Sequence, residues 1–149
     1  MNKALPSEKV KSADQAAGFL RDMQGLHQIV LRELAPLLEE YDIDPRLFSL
    51  LKHIELGAVH PGAISKKAHL PNSVITRHID QLVERGLLER SLDTEDSRRI
   101  KLTLTKDGQR VAREATRTVC NVMGARLERI PANQREIFLA TFADLARDE

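Results

Sequence analysis

Residues 61–105 read PGAISKKAHLPNSVITRHIDQLVERGLLERSLDTEDSRRIKLTLT, and this stretch contains one complete structural pattern. A short helix over 63–68 leads through a turn into a longer helix over 71–85. Apolar residues recur at helical spacing in the longer helix and predict one buried face: Ile75, Ile79, Leu82 and Val83. The opposite face carries groups that suit base edges and phosphates in a DNA major groove: Ser73, Thr76, Arg77 and Asp80. Gly86 is the glycine expected just after a helix end.

Two short strands follow this helix. Residues 87–92, LLERSL, form an apolar strand, and residues 100–105, IKLTLT, alternate apolar and polar side chains as a half-buried strand does. The charged loop DTEDSRR lies between them. A helix-turn-helix followed by a two-stranded hairpin, the wing, is a winged helix. The other interpretation is a small α/β subdomain with a solvated helix face, but the arginines at the turn of the hairpin favour DNA binding.

Amphipathic helices flank this region on both sides. Residues 1–11 are expected to form a flexible tail, and Ser12 or Asp14 can cap a helix that starts near residue 13. Pro36 should kink or end that helix. A second helix over 45–55 starts at Asp44-Pro45, and after the wing Thr105 and Asp107 cap a helix to about residue 129. The last helix covers 132–147. The apolar stripes of the first and last helices need a partner surface, which a second copy of the chain could supply.

The whole chain, 1–149, is therefore predicted to be a single, mainly α domain. Its winged helix-turn-helix covers 45–105, with an α+β wing hairpin. The N- and C-terminal helices, 12–42 and 106–149, form a dimerisation region. In a two-fold dimer the two recognition helices would lie about one DNA turn apart, roughly 34–36 Å.

Composition indicates a soluble globular protein, with 42% hydrophobic and 30% charged residues in 149. No apolar run is long enough for a membrane span, and the first residues lack the apolar core of a signal peptide, so we expect a cytoplasmic protein without membrane contact. The net charge is only +1, but its distribution is uneven. Residues 61–113 contain eleven Lys or Arg and seven Asp or Glu, whereas acids outnumber bases before and after them. The basic excess therefore lies on the segment expected to contact DNA.

The segments SVITRHIDQLVERGLLER and DTEDSRRIKLTLTKDG resemble the MarR family of bacterial transcription regulators, named for multiple antibiotic resistance. The close match covers about residues 44–108. The family pattern combines a Ser/Thr-rich recognition helix that has a Thr-Arg pair with an Asp-x-x-Asp-x-Arg wing. In this chain the pattern falls on Ser73, Thr76, Arg77, Asp93, Asp96 and Arg98. The resemblance implies a homodimeric, sequence-specific regulator of double-stranded DNA. It is expected to be a repressor of a pseudo-palindromic operator, released by a small ligand.

The resemblance and the residue types together suggest a set of DNA contacts. Ser73, Thr76 and Arg77 would meet the major groove, and Lys66 and Asn72 would contact phosphates. Arg98 would enter the minor groove from the wing. Asp96 would orient Arg98, and Arg99 would support it at the backbone. His78, which follows the Thr-Arg pair, is expected at the edge of this DNA-facing surface.

An effector site is expected where the terminal helices meet the winged region, as in the family. Polar side chains that could reach that crevice are His27, Arg32, Tyr41 and His53. They could equally be ordinary surface or interface residues. The chain has no Trp, which departs from family members that bind urate, so a small anionic aromatic ligand remains an expectation from resemblance.

The sequence gives little support for metal binding, redox sensing or catalysis. The spacing of His53, His60 and His69 does not form a metal-ligand set, so no metal and no cofactor are expected. Cys120, the single cysteine, falls with the apolar side of its helix and is interpreted as a small buried hydrophobe rather than a redox sensor. No catalytic motif is present, so the chain is not expected to be an enzyme. The alternatives are a winged-helix protein-interaction module without DNA binding, or a metal- or redox-responsive regulator of the same fold.

Overall fold

The computed structural model describes residues 6–147, with side chains described from residue 13 onward. Six helices and one two-stranded sheet follow one another along these residues: α1 (Pro6–Glu39), α2 (Pro45–Glu55), α3 (Pro61–Ala68), α4 (Asn72–Glu84), β1 (Leu88–Leu92), β2 (Ile100–Leu104), α5 (Lys106–Leu127) and α6 (Ala132–Leu145). The strands pair antiparallel, with Leu88 opposite Leu104 and Leu92 opposite Ile100. The predicted winged helix-turn-helix is confirmed.

One continuous core joins α2, α3, α4, the wing and the first half of α5. Leu51, Ile64 and Leu82 are completely buried in it. α2 begins as its sequence indicated, because the Asp44 carboxylate accepts hydrogen bonds from the N–H groups of Arg46 (2.8 Å) and Leu47 (2.9 Å). Partial burial acts to raise the pKa of Asp44, but the Leu47 N–H, the Arg46 charge and the Arg46 N–H together hold it below its ordinary value.

The first helix is longer than its sequence indicated. α1 already begins at Pro6, so the expected tail over 6–11 and the cap at Ser12 or Asp14 are wrong; residues 1–5 lie outside the described range. A proline is well suited to a first helical turn, because its missing N–H has no partner there. Pro36 also does not end α1, which continues to Glu39. The buried side chains of Leu34 and Leu38 on either side of Pro36 anchor this last turn in the core.

The terminal helices leave apolar surface uncovered. Within one chain α1 packs along α5, and α6 packs extensively against no other described element. Large apolar side chains are exposed on both terminal helices: Phe19, Leu20, Met23 and Leu26 on α1, and Ile137, Phe138, Leu139, Phe142 and Leu145 on α6. None of the described helices combines the length and apolar character needed to cross a membrane.

Candidate nucleic-acid interface

The exposed face of α4 carries the side chains that the sequence assigned to the major groove. Ser73, Thr76 and Arg77 are all exposed, while Ile75 and Ile79 on the other side are buried. The Thr76 hydroxyl donates to the carbonyl oxygen of Asn72 at 2.9 Å. This hydrogen bond occupies the hydroxyl proton and leaves the oxygen lone pairs available as acceptors toward a base edge.

The two residues expected at phosphates lie at the margins of this face. Asn72 is the first residue of α4, and Lys66 lies in the last turn of α3; both are exposed. Between α3 and α4 the backbone of His69 adopts a left-handed conformation, with φ +52°. The Ser65 hydroxyl donates to the Leu70 carbonyl oxygen at 2.6 Å and closes this turn. The turn thereby fixes α3 and α4 relative to each other.

Asp80 is neutralised by the wing. Its carboxylate forms an ion pair with the guanidinium of Arg90 on β1, so it does not present a free negative charge beside Arg77. The sequence placed Asp80 on the DNA-facing side but did not identify Arg90. Pairing between a helix and a strand cannot be recognised from the spacing within either element.

The wing loop is organised by two aspartates. The Asp93 carboxylate accepts from the Glu95 N–H at 2.8 Å, and the Asp96 carboxylate accepts from the Arg98 N–H at 3.1 Å. Asp96 therefore contacts the Arg98 backbone, and its role in orienting Arg98 stays a prediction. Arg98 and Arg99 are exposed, and within the described chain neither guanidinium forms an ion pair. The loop thus projects two unneutralised cations.

A small cavity lies between α1, α2 and the helix-turn-helix. It encloses about 240 Å³ and is lined mainly by apolar side chains, with His27, Arg46, His53 and His78 as its ionisable groups. His53 and His27 were expected in an effector crevice, and the cavity brings them together. The His53 Nδ1 lies 2.7 Å from the Ser49 carbonyl oxygen, to which it donates, so its Nε2 remains available as an acceptor.

Two expected effector residues are elsewhere. Arg32 is exposed on α1 and does not line the cavity. Tyr41 lies beside the acidic turn after α1, where its hydroxyl is 3.4 Å from the Thr118 hydroxyl. Neither side chain lines the cavity, since Arg32 is on an exposed part of α1 and Tyr41 lies in the turn after it, so their role as effector contacts stays a prediction. Arg46 and His78 line the cavity in their place.

His78 was expected at the edge of the DNA-facing surface, but it is buried, with 7% of its surface exposed. Burial lowers its pKa, the charges of Arg46 and Arg77 act in the same direction, and Asp44 opposes them. His78 lies three residues after Ile75 and four before Leu82, so its position in the sequence already matched the buried side of α4. His78 therefore presents a neutral imidazole to the cavity at physiological pH rather than a cation to DNA.

The remaining titratable residues do not form a further centre. Within the described residues, no three His, Cys, Asp or Glu side chains are arranged to hold a metal ion. Cys120 was expected among buried apolar residues, but it is exposed on α5 in the single chain, because it lies off the partly buried side of the helix that holds Val119 and Val122.

Known proteins are similar to this chain in sequence and in fold. Residues 45–100 match the model of the MarR family. The HTH-type transcriptional repressor MdtR of Bacillus subtilis is 30% identical over 101 residues, which cover 66% of this chain and 65% of MdtR. A mutant MarR from E. coli complexed with operator DNA has a TM-score of 0.77 at 20% identity, with 90% of this chain and 97% of that chain covered. CouR from Rhodococcus jostii RHA1, bound to p-coumaroyl-CoA, has a TM-score of 0.70 at 28% identity, covering 89% and 95%.

Proposed function

Because the chain belongs to the MarR family of DNA-binding transcriptional regulators, and not to a family of enzymes, we propose that it acts as a homodimeric repressor that a small ligand releases from a pseudo-palindromic operator. One observation carries this proposal: the exposed polar face of α4 lies beside a wing that presents two unpaired arginines. A helix and a hairpin arranged in this way suit adjacent major and minor grooves.

The recognition helix α4 supplies the sequence reading. Arg77 reaches a base edge, where a guanidinium pairs best with the two acceptors of guanine. Ser73 and Thr76 contact neighbouring bases or their sugars, and Lys66 and Asn72 hold phosphates on either side. Phosphate contacts of this kind fix the register of the helix in the groove and make affinity depend on salt.

The wing supplies a second contact. Arg98 enters the minor groove, Asp96 holds the Arg98 backbone in place, and Arg99 contacts the sugar-phosphate backbone. An arginine in a minor groove responds to groove width and negative potential, both of which favour A·T-rich DNA. The wing therefore contributes affinity and a preference for flanking sequence, while α4 selects the central bases.

Dimerisation uses the terminal regions, 12–42 and 106–149. Nine large apolar side chains on α1 and α6 are exposed in the single chain, and large exposed apolar patches mark association sites. A two-fold dimer through these helices would place two copies of α4 on one face of the DNA, one helical turn apart.

The cavity between α1, α2 and α4 is the proposed effector site. At about 240 Å³ it suits a compound of about one aromatic ring. The guanidinium of Arg46 is paired with the Asp44 carboxylate in the free chain and could turn to a ligand carboxylate, while His53 supplies an acceptor, so an aromatic acid is the ligand class that we propose. Two similar proteins support this proposal, since MdtR is a repressor and CouR was solved bound to p-coumaroyl-CoA. Such a ligand must bind the DNA-incompetent dimer more tightly, since otherwise it shifts nothing.

The test of DNA binding is selection of fragmented genomic DNA on the immobilised protein at several salt concentrations. We expect a small set of retained fragments, log affinity that falls linearly with log salt, and a footprint with two half-sites about 10 base pairs apart. The double variant Arg77→Ala with Arg98→Ala is the matched control. If the folded wild type retains DNA no better than this control, the chain is instead a protein-interaction module.

Control by a ligand is tested with the operator that this selection identifies. Small aromatic acids are screened by thermal shift and then by release of the operator, with Arg46→Ala as the control. A compound that raises the melting temperature of the wild type but leaves its DNA affinity unchanged would contradict the effector role of the cavity.

A further inference from the structure

His60 precedes α3 and contacts the wing with both ring nitrogens. Its Nδ1 lies 3.0 Å from the carbonyl oxygen of Ile100, and its Nε2 lies 3.1 Å from a carboxylate oxygen of Asp93. Only 20% of the His60 side chain and 14% of the Asp93 side chain are exposed. A backbone hydrogen bond also connects this segment to β2, because the Leu102 N–H donates to the Val59 carbonyl oxygen at 2.8 Å. The segment before α3 therefore holds β2 and the wing loop together.

Both partners of the imidazole are acceptors. A neutral imidazole has a single N–H and can satisfy only one of them, whereas an imidazolium donates to both. Asp93 is a carboxylate at physiological pH, since the Glu95 N–H lowers its pKa, against partial desolvation, and the Asp96 N–H, His60 and Lys101 lower it further. The geometry is therefore complete only when His60 is charged.

Asp93 transmits this contact to the wing loop. One oxygen of its carboxylate meets His60, the other accepts from the Glu95 N–H, and its own N–H donates to the Arg99 carbonyl oxygen at 2.9 Å. The Arg99 N–H in turn donates to the Asp96 carbonyl oxygen at 2.9 Å. The position of both wing arginines is thus connected to the imidazole through one side chain.

We propose that His60 is a positioning residue for DNA binding, whose imidazolium fastens the wing loop to the start of α3 and so sets the place from which Arg98 and Arg99 reach the DNA. His60 lies in a groove of about 520 Å³ between α3 and the wing, and the cations that face this groove are Lys66, Arg98 and Arg99. Asp93 is the acidic group that faces the imidazole, and DNA phosphates would neutralise the three cations of the groove.

The consequence is a dependence on pH, because imidazoles change charge between pH 5 and 8. Only the charged imidazole can donate to both the Ile100 carbonyl oxygen and the Asp93 carboxylate, so the wing should be fastened better at lower pH. Operator affinity of the wild type should therefore be about fivefold to tenfold higher at pH 6 than at pH 8, as one hydrogen bond to a charged group permits. In His60→Gln this difference should shrink, whereas His69→Gln, in the exposed turn between α3 and α4, should keep it.

The Asp93→Asn variant distinguishes a positioning role of His60 from an effect of its positive charge alone. The substituted amide can still accept from the Glu95 N–H, and its NH₂ can donate to the Nε2 of a neutral imidazole. The wing of this variant should be fastened at pH 8 and released at pH 6, so the pH dependence reverses. If His60 acted only as a positive charge near DNA, Asp93→Asn would keep the wild-type slope, and that result would overturn the proposal.

Amide hydrogen exchange in the free full-length protein tests the fastening without DNA, although the role in binding rests on the proposed function. After correction for intrinsic rates, the Glu95 and Arg99 amides should be more protected at pH 6 than at pH 8 in the wild type, equally protected in His60→Gln, and less protected at pH 6 in Asp93→Asn. This pattern in a protein that binds no operator would contradict the proposed function but support the fastening. Wing amides that respond identically to pH in all three proteins would overturn the proposal that His60 fastens the wing loop.

Discussion

The guanidinium of Arg85 connects the end of the recognition helix to the turn that follows α1. Its Nε donates to the carbonyl oxygen of Asp42 at 2.8 Å and lies 3.3 Å from a carboxylate oxygen of the same residue. Its Nη1 also donates to the Gln81 carbonyl oxygen at 3.0 Å. Asp42 has a φ of +56°, so one side chain stabilises both a left-handed residue and the last turn of α4. The helix proposed to read DNA is thereby joined to the proposed dimerisation region.

Replacement of Arg85 by alanine should lower the free energy of unfolding by about 1 kcal/mol, since it removes charge-assisted hydrogen bonds to two carbonyl oxygens, of which that of Gln81 is partly buried. Urea unfolding measures this value. Arg90→Ala is the matched control, because it removes an exposed ion pair with Asp80 that should contribute little. Equal stabilities of the two variants would show that the Arg85 link is unimportant.

Gly108 lies where the start of α5 touches the turn after α4. A Cβ at this position would lie 1.9 Å from the carbonyl oxygen of Leu87, and the backbone around it is fixed by Thr105, whose N–H donates to that same oxygen. The Thr105 hydroxyl also donates to the Gly86 carbonyl oxygen at 2.7 Å. Gly108→Ala should therefore cost about 2 kcal/mol or more, because a backbone contact must be displaced.

Thermal unfolding of Gly108→Ala against Gly62→Ala tests this expectation. A Cβ on Gly62 in α3 meets nothing within 4 Å, so that variant should be neutral or slightly more stable. A Gly108→Ala protein as stable as the wild type would mean that α5 can shift away from Leu87 without loss.

Charge on the exposed apolar surface should prevent assembly. Leu26 and Phe142 are 45% and 43% exposed in the single chain, and both would be covered in the proposed dimer. Leu26→Asp and Phe142→Asp should sediment as monomers at micromolar concentration and bind a full operator much more weakly. A monomer loses the effective concentration that the second half-site contact provides.

Leu56→Asp is the matched control for these two substitutions. Leu56 is 75% exposed and ends α2, outside the proposed dimerisation regions 12–42 and 106–149. This variant should remain a dimer with wild-type affinity. A wild type that sediments as a monomer yet binds the full operator tightly would contradict the dimer model.

The elements closest to the DNA-facing surface were the most predictable from sequence. α2 begins and ends where its Asp-Pro start and its apolar spacing indicated, and α4 and the strands agree to within a residue or two. Local signals specify them: a capping carboxylate, a helical apolar stripe and strict alternation. α1 was placed less well, because a polar N-terminal segment has no apolar stripe to mark its beginning, and the anchoring of the turn after Pro36 depends on contacts with the core.

The cavity shows what sequence spacing alone could not provide. His27 and His53 were identified, but Arg32 and Tyr41 were assigned to the same place, since the distance between two helices and the rotation of each are set by packing. His78 is different, because its spacing of three from Ile75 and four from Leu82 already marked it as buried. Because histidine is polar, this spacing was not interpreted as a sign of burial.

Arg77 and Arg98 are expected to read DNA in different ways, and their removal should have different consequences. Arg77 projects from the exposed face of a helix whose other face is anchored by Ile75 and Ile79, so it can hold one orientation toward a base. Its replacement by alanine should relax discrimination at one or two base pairs, by about 1–3 kcal/mol if the contact is bidentate. Arg98 lies in a loop whose backbone is held by Asp96. Its replacement should weaken binding to many sequences alike.

The two effects separate when affinity is measured against log salt on the operator and on a variant with G·C pairs flanking each half-site. Arg98→Ala should lower the salt slope by roughly one unit and remove the preference for A·T flanks, because a minor-groove guanidinium responds to local negative potential. Arg77→Ala should keep the flank preference. Arg113→Ala on α5, outside the proposed DNA-facing surface, is the matched control for loss of one positive charge and should change neither quantity. An Arg98→Ala protein that retains both the wild-type slope and the A·T preference would mean that the wing does not enter the minor groove, and the arginines of the loop would then be ordinary solvated charges.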